Sequence, residues 1–267
     1  MHPKEAIDLA ERAARAGAAV LADRFRGART LVASKTSATD MVTDADKASE
    51  AAILEVLQGS RPEDAVLGEE SGASEGSSGL RWIVDPLDGT TNFLYGIAQF
   101  AVSVAVEDEE GGLAGCVFDP VKDECFTAGR GLGAWCNGRD LDVSGQDDLS
   151  SALIATGFSY LAEERAAAGR MLPTILPAVR DLRRPGSAAL DLAWVAAGRL
   201  DGYFEAPVFP WDGAAGVILV KEAGGKVGPM PAIGPSGVGV IASAPGVFEA
   251  LEDLVAVAAI EAGVSDV

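Results

Sequence analysis

The stretch WIVDPLDGTTNF, residues 82–93, decides how this chain is organised. Its first three residues, 82–84, form an apolar, β-favouring run that predicts the end of a buried strand. Pro86 should end that strand, because proline fixes φ and lacks the backbone donor that a central strand needs. The small polar residues 89–92 follow, and they are typical of the first turn of a helix. The stretch therefore predicts a strand, a sharp turn and a helix start.

Two carboxylates, Asp85 and Asp88, stand in that turn. Carboxylates attract cations, whereas the free N–H groups at a helix N-terminus favour an anion. A turn that holds both suits a site where a metal ion assists the hydrolysis of a phosphate ester. The alternative is a turn that uses Asp and Gly only for its geometry, as most Asp-Gly pairs do.

The composition of the chain favours some classes of function and argues against others. The 267 residues suffice for one large domain or two closely packed halves. A hydrophobic content of 48% and a mean hydropathy of +0.20 are typical of a soluble globular protein. The net charge of −19 argues against nucleic acid as a partner, because nucleic acid binding requires a basic surface. A protein this acidic would need cations to hold an anionic substrate, although the same charge also suits a merely solubilising surface.

The cysteines and the hydropathy of the chain predict the cellular compartment of the protein. The chain has three cysteines without a Cys-x-x-Cys pair, so we expect neither a zinc site nor a disulfide framework. Free cysteines suit the reducing cytosol. Residues 1–25 carry charges throughout, unlike a signal peptide, and no apolar run approaches the ~18 residues of a membrane span. We therefore expect a cytoplasmic, soluble protein with no membrane partner.

The spacing of apolar residues along the chain predicts its helices and strands and how they form layers. Residues 4–25 form an amphipathic helix, and a second helix is expected to begin at Thr43 after a polar loop over residues 35–40. Alternating segments up to residue 136 predict antiparallel strands, whereas strands and helices alternate from residue 153 onward, as in an α/β unit. We expect one compact α/β layered sandwich, α-β-α-β-α. Residues 1–145 would contain helices and an antiparallel sheet, and residues 146–267 a smaller α/β part, with the site between them.

Acidic residues recur where the backbone is predicted to change direction. Glu69 follows a short strand at residues 65–68, Asp85 and Asp88 follow the central strand, and Asp212 opens a helix. Such positions let distant segments converge on one site. Oxygen ligands suit Mg²⁺, and two ions roughly 4 Å apart can clamp the attacking and leaving oxygens of a displacement.

Four ordered motifs resemble the inositol monophosphatase family, whose members are Mg²⁺-dependent, lithium-sensitive phosphatases. Residues 82–93 match the first signature of that family and residues 211–225 match the second. Residues 68–71 and 42–47 supply two further pieces in the same order. The resemblance covers nearly the whole chain, and four ordered motifs are more specific than any one of them.

The resemblance implies a metal site. Glu69, Asp85 and the carbonyl of Leu87 would hold one Mg²⁺. Asp85, Asp88 and Asp212 would hold a second, and a third, weaker ion would lie near Glu69. Mn²⁺ would substitute for Mg²⁺, whereas Li⁺ and Ca²⁺ would inhibit.

The resemblance also implies a set of catalytic residues, Asp46, Thr90 and Glu69. Thr90, hydrogen-bonded to Asp46, would orient and help deprotonate the attacking water. The backbone amides of Gly89 and Thr90 would cradle the phosphate, and Lys35 would help to close the site from its loop.

Substrate contacts follow from the same resemblance and comprise Asp88, Gly89, Thr90, Gly186, Ser187, Ala188, Glu205 and Asp212. Glu205 would accept hydrogen bonds from neighbouring hydroxyl groups of an inositol ring, although it also suits an ordinary surface acid. The segment 206–210 beside it is unusually apolar and rich in proline. Inositol monophosphate is therefore the expected substrate, with histidinol phosphate, fructose-1,6-bisphosphate or another sugar phosphate as alternatives.

Rival classes fit the sequence less well. The only histidine is His2, so a phosphatase or hydrolase with a histidine base is not expected. A Ca²⁺-binding loop over residues 44–49 fails, because Ala48 and Ser49 replace the required oxygen ligand and glycine. A non-catalytic scaffold that kept the fold would usually have lost a metal ligand or Thr90, and none is lost here. The resemblance thus implies an inositol-1-monophosphatase, which we expect to form a homodimer.

Overall fold

The structure, a computed structural model, describes residues 1–31 and 38–264. Two helices form its first layer, α1 (Pro3–Leu31) and α2 (Ala38–Ser60). They pack on each other and on one face of the larger sheet. The small apolar residues Ala10 and Ala14 of α1 are fully buried, as their helical spacing predicts.

The start of α2 differs from the prediction. The helix begins at Ala38 and not at Thr43, so residues 38–40 are helical and not part of a loop. A capping preference is a weak local signal and does not by itself set where a helix begins. Lys35 lies outside the described residues, so its predicted role at the site stays a prediction.

The larger sheet has eight strands in the order β2-β1-β3-β4-β5-β6-β7-β8. The strands are β1 (Ala65–Gly68), β2 (Gly72–Ser74), β3 (Arg81–Asp88), β4 (Ala101–Asp108), β5 (Gly111–Asp119), β6 (Glu124–Gly129), β7 (Gly133–Cys136) and β8 (Arg139–Asp140). β1 and β3 are parallel, with Val66 opposite Trp82. The other neighbours are antiparallel, and the predicted antiparallel sheet is confirmed.

The prediction that Pro86 ends the central strand is wrong. β3 continues to Asp88, and its register with β4 shifts between Asp85 and Asp88. Such an irregularity leaves residues outside the hydrogen-bond ladder, so a proline without an N–H is tolerated there. The helix that follows, α3 (Thr90–Leu94), is only five residues long.

A smaller sheet has five strands in the order β10-β9-β11-β13-β12. They are β9 (Leu153–Thr156), β10 (Asp181–Arg183), β11 (Gly202–Glu205), β12 (Lys226–Met230) and β13 (Gly239–Ser243). Two helices, α5 (Ala188–Ala196) and α6 (Pro210–Glu222), lie between the two sheets, and α4 (Ala162–Ile175) and α7 (Phe248–Glu261) pack on each other and cover the outer face.

Three buried clusters hold the layers together. The first lies between α1, α2 and the larger sheet, around Leu21 and Trp82. The second surrounds α5 and α6 between the sheets, and the third joins the smaller sheet to α4 and α7. The order of layers is α-β-α-β-α, as predicted. Within the described ranges, no helix is long and apolar enough to cross a membrane, and the division of the chain after residue 145 remains a prediction.

Candidate active site

A cavity of about 410 Å³ opens where β3 ends and where α5 and α6 begin. Among the described residues, its lining includes every predicted site residue except Asp46. These lining residues are Glu69, Asp85, Leu87, Asp88, Gly89, Thr90, Gly186, Ser187, Ala188, Glu205 and Asp212. Segments that lie more than a hundred residues apart in the chain therefore meet in one cavity.

Asp85 lies in the last part of β3 and is only 1% exposed. Its Oδ1 accepts a hydrogen bond of 2.9 Å from the backbone N–H of Leu87, which holds the carboxylate across the irregular part of the strand. Burial, and then the charges of Glu69, Asp88 and Asp212, raise the pKa of Asp85 well above its ordinary value. Each of these carboxylates thus raises the cost of ionising its neighbour.

Asp88 links the end of β3 to the start of α5. Its Oδ2 accepts hydrogen bonds from the N–H of Ala189, at 2.8 Å, and from the hydroxyl of Ser187. Ser187 is the N-cap of α5, so the start of that helix is fixed against the end of β3. Burial raises the pKa of Asp88 to about 6, although these donors oppose the rise because they favour the ionised form.

The turn after β3 requires glycine at one position. Gly89 has φ +92°, and a Cβ there would lie 2.9 Å from the carbonyl oxygen of Gln99. The turn also brings the Thr90 hydroxyl back to the Leu87 carbonyl, to which it donates at 2.9 Å. We conclude that the conformation of the turn at residues 87–90 shapes this part of the cavity more than the short helix α3 does.

The expected hydrogen bond from Thr90 to Asp46 is not among those of the described residues. Thr90 donates to Leu87 instead, because the tight turn places that carbonyl three residues back within reach. Asp46 is buried on α2, and burial followed by the charges of Glu70 and Glu69 raises its pKa to about 7. Asp46 thus neighbours the acidic cluster without lining the cavity.

Glu69 and Asp212 complete the acidic lining. Glu69 is exposed at the rim, and partial loss of solvent around its carboxylate, together with the charges of Glu70 and Asp88, raises its pKa to about 7. Asp212 lies in the first turn of α6, where its Oδ2 accepts a 2.8 Å hydrogen bond from the N–H of Phe209. Burial and then the charge of Asp88 raise the pKa of Asp212 well above its ordinary value.

The donor chemistry fits a hard divalent cation. Four carboxylates and the Leu87 carbonyl offer only oxygen, which is what Mg²⁺ prefers, and Mg²⁺ keeps several water ligands. A cation would also offset the mutual repulsion that raises these pKa values. In the described part of the chain, however, no three His, Cys, Asp or Glu side chains form a group arranged to hold a metal ion. The acids therefore share a cavity without forming a closed coordination sphere.

Part of the cavity lining is apolar. Phe209 and Trp211 are stacked there, with ring centroids 5.3 Å apart, and Tyr160 is 77% exposed near the entrance. The unusually apolar sequence of residues 206–210 was a signal for this surface. Within the part of the chain that the structure describes, Arg184 is the only basic residue in the lining, and nothing in its local sequence marked it.

Two residues behind the cavity, Tyr203 and Asp191, were also not predicted from the sequence. Tyr203 donates to Glu205, and it lies two residues before Glu205 on β11, so strand alternation offered a signal. Asp191 is a fully buried acid on the otherwise apolar helix α5, and its Oδ1 has no hydrogen-bond partner among the described residues. Burial raises the pKa of Asp191 well above its ordinary value, with a further contribution from Glu205.

Comparisons place this chain and its fold in a known family. The model of the inositol monophosphatase family matches residues 2–252, and the chain belongs to that family. It is 44% identical over 229 residues to the Nus factor SuhB of Escherichia coli K12, covering 85% of each chain.

Two solved structures have the same fold. SuhB of Mycobacterium tuberculosis is 36% identical with a TM-score of 0.84, covering 96% of this chain and 98% of that one. The inositol monophosphatase of Anabaena sp. PCC 7120 is 36% identical with a TM-score of 0.81, covering 95% of this chain and 96% of that one. The predicted family is confirmed. The family is one of phosphatases, whereas the E. coli relative is named as a Nus factor.

Proposed function

We propose that this protein is a Mg²⁺-dependent hydrolase of small phosphate monoesters that converts inositol monophosphate to myo-inositol and phosphate. One observation carries the proposal. Glu69, Asp85, Asp88 and Asp212 come from three separate segments and line one cavity beside the Gly89 turn. Phosphoryl transfer needs mainly positioning and neutralisation of charge, and such a cavity supplies the ligands for both.

The acids would hold the metal as the family resemblance implies. Glu69, Asp85 and the Leu87 carbonyl would bind one ion, and Asp85, Asp88 and Asp212 a second, with a weaker third near Glu69. When bound, Mg²⁺ lowers the pKa of a coordinated water and neutralises charge on the phosphate oxygens. The three backbone N–H groups that hold one oxygen each of Asp85, Asp88 and Asp212 support this role, because they fix the carboxylates in place.

Other residues would position the substrate. The amides of Gly89 and Thr90 would donate to the phosphate, and the Thr90 hydroxyl would orient the attacking water once it turns from the Leu87 carbonyl. Asp46, whose pKa is raised to about 7, would then accept a proton from Thr90 near neutral pH. Glu205 would accept hydrogen bonds from the hydroxyl groups of the alcohol.

Two alternatives follow from particular observations. The apolar side formed by Phe209 and Trp211 also suits another phosphate ester, such as histidinol phosphate, fructose-1,6-bisphosphate or another sugar phosphate. A non-catalytic role is the second candidate, because a relative with 44% identity is named as a Nus factor. The homodimer, the cytoplasmic location and the lack of a nucleic acid partner remain predictions.

Phosphate release from inositol 1-phosphate, histidinol phosphate, fructose-1,6-bisphosphate and 3′-phosphoadenosine 5′-phosphate tests the proposal. Each ester is measured with Mg²⁺, with EDTA, and with the variant Asp88→Asn. Turnover of the inositol ester that requires Mg²⁺ and is abolished by Asp88→Asn is expected. Asp8→Asn, on the exposed face of α1, is the control for loss of one negative charge. Absence of Mg²⁺-dependent release from all four esters would contradict the proposal and favour the non-catalytic role.

A further inference from the structure

The carboxylate of Glu205 lies flat against the backbone of Gly157. A Cβ built on Gly157 would lie 1.9 Å from Oε2, 2.0 Å from Cδ and 2.1 Å from Oε1 of Glu205. Strand pairing causes this approach, because Thr156 at the end of β9 is opposite Phe204 on the parallel strand β11. The next residue on each strand is therefore Gly157 and Glu205. Any side chain at position 157 would occupy the place of the carboxylate.

The hydroxyl of Tyr203 holds the same carboxylate from another direction. It donates a 2.9 Å hydrogen bond to Oε2 of Glu205. Tyr203 is fully buried, and burial raises the pKa of its hydroxyl well above the ordinary value, so the hydroxyl stays protonated and remains a donor. Tyr203 and Glu205 point to the same face of β11, because residues two apart in a strand do so.

Glu205 is consequently fixed through one oxygen. Among the described residues, its Oε1 accepts no hydrogen bond, and the residue lines the same cavity as Ser187 and Asp212. A carboxylate that is held through one oxygen can accept hydrogen bonds from a ligand with the other. Two adjacent hydroxyl groups on a substrate are suitable donors.

We propose that Gly157 and Tyr203 are positioning residues that set the Glu205 carboxylate for a phosphate monoester whose alcohol carries adjacent hydroxyl groups. The inference rests on the proposed phosphatase function. Gly157 supplies the space, and Tyr203 supplies the donor that selects one orientation of the carboxylate. Specificity for a polyol ester thus depends on two residues that need not touch the substrate.

Gly157→Ala tests the role of space. Gly157 does not have a positive φ, so alanine would not be forced into the left-handed region, and the atoms that it displaces are the flexible end of Glu205. We expect KM for inositol 1-phosphate to rise about tenfold, because hydrogen bonds to a charged group are lost. Hydrolysis of p-nitrophenyl phosphate, which has no hydroxyl group, should keep its KM and kcat. Gly169→Ala is the matched control, because a Cβ at Gly169 on α4 would meet no atom within 4 Å.

Tyr203→Phe tests the role of the donor. It removes one hydroxyl from a buried ring, and we expect a smaller rise of about threefold in KM for the inositol ester alone. Thermal unfolding of each variant checks that the fold is retained. A crystal structure of Gly157→Ala should show the carboxylate of Glu205 displaced, and this readout does not depend on activity.

The outcomes separate this inference from the proposed function. Failure of the wild-type protein to hydrolyse either ester with Mg²⁺ would overturn the proposed function and the inference with it. Wild-type turnover of both esters, with Gly157→Ala changing both equally or neither, would overturn the positioning role alone. A displaced Glu205 in the crystal structure without any change in KM for the inositol ester would also overturn it.

Discussion

Two unlike sets of residues line the cavity. The acid wall comprises Glu69, Asp85, Asp88 and Asp212, and the outer wall comprises Arg184, Glu205, Phe209 and Trp211. Backbone N–H groups hold three of the four acids, and the central pair, Asp85 and Asp88, is buried. The outer wall consists mainly of side chains near solvent, and Phe209 is 42% exposed.

This difference assigns separate tasks to the two sides. A carboxylate that is fixed by the backbone and surrounded by other acids suits a cation, and it tolerates little change. Exposed aromatic and polar side chains contribute contacts that a substrate can use or avoid. We therefore expect the acid wall to govern the chemical step for every ester, and the outer wall to govern which ester binds.

The largest expected effect is a difference in kinetics between variants of the two walls: a change in the acid wall should lower kcat, and a change in the outer wall should raise KM. Asp212→Asn is expected to lower kcat on the order of 10³-fold with every ester, because it removes a charge from the predicted metal ligands. Glu205→Gln should raise KM for inositol 1-phosphate about tenfold and leave kcat nearly unchanged. Steady-state kinetics with inositol 1-phosphate and p-nitrophenyl phosphate measure both. A large fall in kcat for Glu205→Gln with p-nitrophenyl phosphate would remove the distinction.

A second effect concerns the backbone beside the acid wall. Gly89 and Gly224 both have positive φ, at +92° and +85°, but only at Gly89 would a Cβ meet backbone, 2.9 Å from the Gln99 carbonyl oxygen. Gly224→Ala should lower the free energy of unfolding by about 1 kcal/mol, because alanine is strained in the left-handed conformation. Gly89→Ala should cost about 2–4 kcal/mol, because the close contact adds to that strain. Urea unfolding of both variants measures the free energies, and equal losses would show that the turn has room to relax.

The smallest effect is a dependence of stability on pH and Mg²⁺. The pKa values of Glu69 and Glu205 are raised to about 7, and that of Asp88 to about 6. Between the unfolded and folded pKa values the folded state binds more protons, so the stability of the metal-free protein should rise as pH falls from about 8 to about 5. Mg²⁺ should stabilise more at pH 8 than at pH 6, because ligands must be deprotonated to bind it.

Calorimetric melting temperatures measure this effect, and we expect shifts of about 2–4 °C. With saturating Mg²⁺, the pH dependence of stability that is due to the acid wall should disappear, and the pH dependence due to Glu205, Asp46 and Asp191 should remain. Glu205→Gln should then remove its own share, whereas the shares of Asp46 and Asp191 should persist. Equal stabilisation by Mg²⁺ at both pH values would contradict the assignment of these acids to a metal site.

Local patterns predicted the fold well where one element decides its own structure. The apolar run at residues 82–84 does form a buried strand, and Asp212 does open a helix. The errors occur where a single local rule does not decide the structure. Pro86 stays within β3 because the register shift removes the need for its N–H. The start of α2 lies before its apparent cap because a capping preference alone does not set where a helix begins.

The sequence by itself determined the acidic set and its order along the chain, because each acid lies where a strand ends or a helix begins. Only the tertiary structure decided what holds those acids and what surrounds them. Asp88 is fixed by Ser187 and Ala189, and Glu205 lies against Gly157. These residues meet through strand pairing and helix packing between distant segments, and local periodicity does not record which distant segments pair.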